Sequence, residues 1–169
     1  MNKKQKGFSL IELLIVVAII LIIAAIAIPN LLRARIAANE ASAVGSVRTL
    51  DTAEIAYSST YGTGFAGVIA NLGGAAPCVA AAGNACLIDP VLTAGAKEGY
   101  NLAAVGATGG GTVLLPFQTF EVNATAQSVS TGTRAFCSDQ SGVLRYTLTG
   151  TTAIGTAVGS CAAVVTVLQ

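Results

Sequence analysis

The stretch Gly7-Phe8-Ser9-Leu10-Ile11-Glu12-Leu13-Leu14-Ile15-Val16-Val17-Ala18-Ile19-Ile20-Leu21-Ile22-Ile23-Ala24-Ala25-Ile26-Ala27-Ile28-Pro29 decides how the rest of the chain is read. Between Phe8 and Ile28 only Ser9 and Glu12 are strongly polar. As a helix these 21 residues would run for about 31 Å, at about 1.5 Å per residue, which is enough to cross the hydrocarbon of a bilayer. Leu, Ile, Val and Ala occupy every side, so no face is left for water. Glu12 is the anomaly. A carboxylate at the centre of a membrane helix costs about 2.5–3.5 kcal/mol, and a plain anchor has no use for one. An acid in that setting implies a function, and its natural partner is a cation.

In front of the apolar run stands Met1-Asn2-Lys3-Lys4-Gln5-Lys6-Gly7, a short basic leader ending in glycine. Basic leader, glycine, then F-S-L-I-E-L-L-I-V-V-A-I resembles the class III signal of type IV prepilins and type II secretion pseudopilins. The chain is identified on these residues as a member of that family, and the match covers roughly Gly7 to Leu32. The resemblance implies cleavage between Gly7 and Phe8 by a prepilin peptidase, followed by N-methylation of Phe8. It also implies that Glu12 meets the Phe8 ammonium of a neighbouring subunit when helices stack into a filament. An ordinary secretory signal would instead use Ala25-Ile26-Ala27 as its cleavage site. That would require an overlong apolar region and leave Glu12 unexplained. A simple single-pass anchor explains the length but neither Glu12 nor the Gly7-Phe8 junction.

Charge places the rest. Lys3, Lys4 and Lys6 precede the span, so the positive-inside rule puts the leader in the cytoplasm and the cysteines outside. The resemblance implies the inner membrane first, with the globular region in the periplasm, and then a surface pilus or periplasmic pseudopilus. The net charge of +1 gives no argument for nucleic acid. Four cysteines, Cys78, Cys86, Cys137 and Cys161, lie on the outer side, where an even number reads as two disulfides. Three connectivities are possible. In the local one, Cys78–Cys86 and Cys137–Cys161 close loops worth roughly 2.5 and 3.5 kcal/mol by chain entropy. A zinc site is a poor alternative, because the chain has no CxxC and no histidine.

After Pro29, Ala, Leu, Arg and Glu favour helix as far as Tyr61. Val44, Val47, Leu50, Ala53 and Tyr57 recur at three- and four-residue spacing, the pattern of a core-facing stripe. The expected picture is one long helix, kinked or frayed at Pro29 because the ring removes a hydrogen bond. Tyr61-Gly62-Thr63-Gly64 ends it. From Thr63 to Thr93 no period is sustained, so that segment reads as a loop-rich connection, and the resemblance implies that it is the αβ-loop of the family. Strand signals follow at Tyr100 to Val105 and Thr119 to Thr125. In the second, Phe120, Val122 and Ala124 alternate with polar neighbours in the manner of a half-buried strand. Thr133 to Ser138 and Val143 to Thr149 flank a type I turn at Asp139-Gln140-Ser141-Gly142. Leu144, Tyr146 and Leu148 are expected to face the helix, and Ala163 to Leu168 to add a further strand. The resemblance implies that Cys137–Cys161 ties this hairpin to the tail, whereas Cys78 and Cys86 depart from the family pattern.

The fold expected is α+β and type IV pilin-like, with a long amino-terminal helix packed on a small antiparallel sheet. Its parts are a cleaved leader (1–7), a transmembrane and assembly helix (8–28), an amphipathic half-helix (29–61) and a globular region (62–169). Catalysis has little to stand on: there is no histidine base, no partnered nucleophile and no phosphate loop. Asp89, Glu98, Glu121 and Asp139 read as isolated acids, so neither metal nor cofactor is expected. Asn123-Ala124-Thr125 fits a glycosylation sequon. The expected partners are copies of the chain itself in a helical filament, the prepilin peptidase and methyltransferase, and an inner-membrane assembly platform. A major pseudopilin of a type II secretion system, or a minor tip pilin acting as a binding module, is the alternative.

Overall fold

The structure, a computed structural model, describes residues 8–75, 77–107, 109–157 and 159–168. The leader (1–7), with Gly7, therefore lies outside the described residues. Helix α1 (Leu10–Tyr61) is followed by two single-turn helices, α2 (Ile69–Leu72) and α3 (Pro90–Thr93). Among the described residues five strands come next: β1 (Ala96–Lys97), β2 (Tyr100–Ala107), β3 (Thr119–Ala126), β4 (Ala135–Asp139) and β5 (Arg145–Thr147). The chain divides into two compact units, Met1–Arg35 and Ile36–Gln169.

The described part of the first unit is almost wholly helix, and none of its residues is buried. Pro29 lies inside α1, which continues through it. The ring has no N–H to give the carbonyl of Ala25, four residues earlier.

The second unit is built around the stripe read from the sequence. Ala43, Val47, Leu50, Ala53 and Tyr57 are buried on α1, and Val44 packs against them partly buried. They share one core with the inward residues of an antiparallel meander, in the order β1-β2-β3-β4-β5. Register aligns Leu102 with Ala124, Ala104 with Val122, and Ala124 with Phe136, so apolar side chains meet on one face of three strands. The helix stops at Tyr61 because Gly62 turns into the left-handed region with φ 66°. Gly64 then lies so close to the Phe117 backbone that a Cβ there would fall on its carbonyl.

The segment from Thr63 to Thr93 is loop-rich, with the single turns α2 and α3 within it, and three expectations elsewhere are corrected. Asp89 caps α3 by accepting the N–H groups of Val91 and Leu92, and Pro90 follows at the first turn. Ala163 to Leu168 forms no strand. It makes a single bridge, Arg145 with Val167, and backbone hydrogen bonds at Tyr146 and Leu168, because β5 is only three residues long. Leu148 is 77% exposed and not turned to the helix, because it lies beyond the end of β5; Leu144 is buried and Tyr146 packs on the core. Finally, β3 is not half-buried. Glu121 and Asn123 on its outward face are as buried as Val122 and Ala124, because the carboxy-terminal segment lies over them.

Candidate functional site

The apolar surface of the first unit is the most conspicuous feature of the chain. From Phe8 to Leu32 the large aliphatic and aromatic side chains are all exposed, Phe8 at 79% and Leu10 at 80%. This helix is long and apolar enough to cross a membrane. At its start, Ser9 occupies the position before the first helical residue and Glu12 the third position within it. Glu12 accepts the Ser9 backbone N–H through Oε2 at 2.9 Å, and Leu13 donates to the Ser9 carbonyl at 3.2 Å. Ser-x-x-Glu with this bond is one half of a capping box, and the carboxylate stands where the helix dipole favours a negative charge. The sequence contained that signal, but the acid drew the reading toward an external cation and its local partner was missed. Phe8, whose amino group the resemblance links to Glu12, stands one residue before the cap.

The cysteines pair as Cys78–Cys86 and Cys137–Cys161, with Cα separations of 6.0 and 5.8 Å. The second bond joins β4 to the tail, and both of its cysteines are fully buried. Around it the tail covers the outward face of the sheet. Asn123 donates its side-chain amide to the Gly155 carbonyl at 3.0 Å, and Glu121 accepts from the Ser160 hydroxyl at 2.9 Å and the Cys161 N–H at 3.3 Å. The sequon at Asn123 is thereby closed off in the folded domain. Asp139 is no isolated acid: its carboxylate takes the Ser141 N–H at 2.8 Å and the Arg145 guanidinium at 3.1 Å. The Gly142 N–H closes the expected turn onto the Asp139 carbonyl at 2.8 Å. The first disulfide closes a small loop whose Ala82 carbonyl accepts the Tyr57 hydroxyl at 2.6 Å, fastening it to α1.

Glu54 is an acid that the sequence reading passed over. Glu54 is fully buried and accepts the Ala66 N–H through Oε2 at 2.7 Å, while Oε1 has no hydrogen-bond partner among the described residues. Burial pushes its carboxyl up to about 8; the Ala66 N–H opposes the rise and the charge of Asp51 adds to it. Asp51, one turn earlier, is raised to about 6, chiefly by burial, with the Ser138 hydroxyl working against the rise and Asp139 adding to it. The signal was the spacing itself, since Glu54 falls seven residues after Val47 and three before Tyr57, in the buried stripe. Among the described residues no three His, Cys, Asp or Glu side chains gather to hold a metal ion.

Comparison with known proteins bears on the amino-terminal part. The family model described as the prokaryotic N-terminal methylation motif matches residues 2–28. Over 58 residues the chain is 45% identical to the type IV major pilin protein PilA of Myxococcus xanthus, covering 34% of this chain and 26% of that protein. Over 38 residues it is 66% identical to the type IV wide pilus major component PilA4 of Thermus thermophilus, covering 22% of this chain and 29% of that protein. The chain thus spans between a quarter and a third of the length of these curated relatives. No solved structure matches it. The amino-terminal part of the chain is thus similar to type IV pilins through the methylation motif and these two major pilus components, and a five-stranded antiparallel sheet follows its long helix.

Proposed function

We propose that the chain is a structural subunit of a type IV pilus or closely similar filament and carries out no catalysis. The observation that carries this is the stretch from Phe8 to Leu32, helical from Leu10, with its large apolar side chains exposed on every side and one acid at its start. In water such a surface is strongly unfavourable, so it has to be covered first by lipid and then by other copies of itself. A precursor is cut between Gly7 and Phe8 by a prepilin peptidase, Phe8 is methylated, and an inner-membrane assembly platform draws the subunit from the bilayer. Pro29 gives the helix a place to bend as it repacks, since one backbone hydrogen bond is already missing there. The globular unit stands on the periplasmic side, where Cys78–Cys86 and Cys137–Cys161 keep their disulfides.

A pilus is favoured over a secretion pseudopilus because both relatives named above are pilus components. The test is shearing of surface fibres followed by intact-mass measurement. The expected species begins at Phe8 and carries one added methyl group. Fibres whose subunit retains Met1, or cells that form none and instead retain a secreted protein when the chain is deleted, would overturn the reading in favour of another.

A further inference from the structure

The β2–β3 connection carries an apolar finger that no described residue of the globular unit covers. Val113, Leu114 and Leu115 are 71%, 97% and 58% exposed. Three consecutive large apolar residues in open water are a defect unless they serve contact with something else. The finger is braced: Leu115 donates its N–H to the Thr112 carbonyl and hydroxyl, both at 3.1 Å, and its carbonyl accepts the N–H groups of Gly110 and Thr112. Its base is fastened just beyond the carboxyl end of α1. Phe117 donates its N–H to the Thr63 carbonyl, and its own carbonyl accepts the Phe65 N–H, each at 3.0 Å.

At the opposite end of the α1 span in this unit lies an open groove of about 410 Å³. Ala37, Ala41 and Val44 form one wall, and Phe136 and Leu168 the other. Pockets that enclose several side-chain-sized groups run from roughly 300 to 1,000 Å³, so two aliphatic side chains are within its capacity. Glu40 and Arg134 at the groove satisfy each other at 3.7 Å. Glu40 also accepts the Thr133 N–H and hydroxyl, and Arg134 lies over the Tyr146 ring. The groove therefore asks for no charged ligand, and the finger has none to offer: from Tyr100 to Phe120 no residue is charged.

We propose that the Val113-Leu114-Leu115 finger of one subunit seats in the Ala37, Ala41, Val44, Phe136 and Leu168 groove of a second copy of this chain. From position 37 to position 61 the helix covers about 36 Å, at about 1.5 Å per residue, so finger and groove mark opposite ends of the unit. A contact between opposite ends of successive copies is heterologous, and it propagates as an open array and not as a closed dimer. The seating rests on the filament reading above and adds the periplasmic surface through which neighbours grip.

The test places a photoreactive benzoylphenylalanine at Leu114 of the full-length chain, illuminates assembled fibres, and sequences the cross-linked peptides. The expected product is a subunit dimer joined to the tryptic peptide spanning 36–48. Leu114→Asp and Ala41→Phe, which spoil the finger and fill the groove, should each lower fibre yield by about tenfold at normal levels of mature subunit, as expected when a buried leucine contact is lost at every junction. Leu114 is exposed in the free subunit, so its replacement leaves the fold intact. Fibres that cross-link elsewhere or not at all, or that form normally from both variants, overturn the seating and leave the filament reading standing. If the unaltered chain forms no fibres, the filament reading falls and the seating falls with it.

Discussion

Glu54 reaches across the turn that ends α1 and accepts the backbone N–H of Ala66 through Oε2 at 2.7 Å. The bond pins the first residues after the helix to its buried face, in surroundings that raise the carboxyl to about 8.

The stability of the domain should therefore fall as pH rises. Below the usual glutamate value of 4.5 the group is protonated in both states. Between 4.5 and about 8 the unfolded chain releases the proton and the folded chain keeps it, so stability declines by up to about 1.4 kcal/mol per pH unit. Above about 8 the loss is complete. Asp51 adds a decline of the same sign between 3.8 and about 6. Glu54→Gln keeps an acceptor for Ala66 and removes the titration. Urea unfolding of the detergent-solubilised chain at pH 5, 6.5 and 8.5 should show a flatter profile for Gln, with its advantage growing toward pH 8.5. Parallel profiles for the two proteins would refute the assignment.

At the other end of the helix, Glu12 serves a local cap, and its proposed part in assembly has to be separated from that. Glu12→Gln retains an acceptor for the Ser9 N–H and discards the charge. Glu12→Ala loses both, at about 1 kcal/mol for the cap. Assembly that depends on pairing with the Phe8 ammonium should fail in both variants, with membrane insertion and Gly7–Phe8 cleavage unaffected. Fibre yield beside the level of mature subunit decides it. Full yield from Gln with loss from Ala would leave Glu12 only its capping role.

Cys137→Ser should cost roughly 3.5 kcal/mol by chain entropy and release the tail from the outward face of the sheet. Glu121 and Asn123 then lose their cover together. Limited proteolysis should cut the tail of the variant between β5 and Gln169 while α1 to β4 stays protected. Cys78→Ser, which opens only the small loop fastened by Tyr57, should leave the tail resistant. Equal resistance of both variants would count against this division.

Arg145→Met should destabilise the domain by about 1–3 kcal/mol near neutral pH, because Asp139 keeps its hydrogen bonds to Ser141 but loses its cation. Arg145→Met with Asp139→Asn should recover most of that loss. A double variant no more stable than the single one, by urea unfolding, would show that the ion pair is not what holds the β4–β5 turn.

The two halves of the chain differ in how openly their sequence declares them. An unbroken apolar run with a basic leader, Gly7-Phe8 and Glu12 is legible residue by residue, because membrane insertion and helix formation depend on local composition and spacing. The core stripe of Val47, Leu50 and Tyr57 and the turn at Asp139-Gly142 were legible for the same reason, since helical periodicity and turn chemistry act over a few residues. What tertiary structure alone decided lies in contacts between distant segments. Glu121 and Asn123 alternate with apolar neighbours and read as solvent-facing, yet a tail more than thirty residues further on buries them. Glu54 sits within the stripe, but only the arrival of Ala66 shows why a carboxyl is tolerated there. Leu148 fits the strand alternation and is nevertheless exposed, because the length of β5 is set by its pairing with β4 and not by its own pattern. Burial of a polar group is a property of whatever packs over it, and the chain that packs over it is remote in sequence.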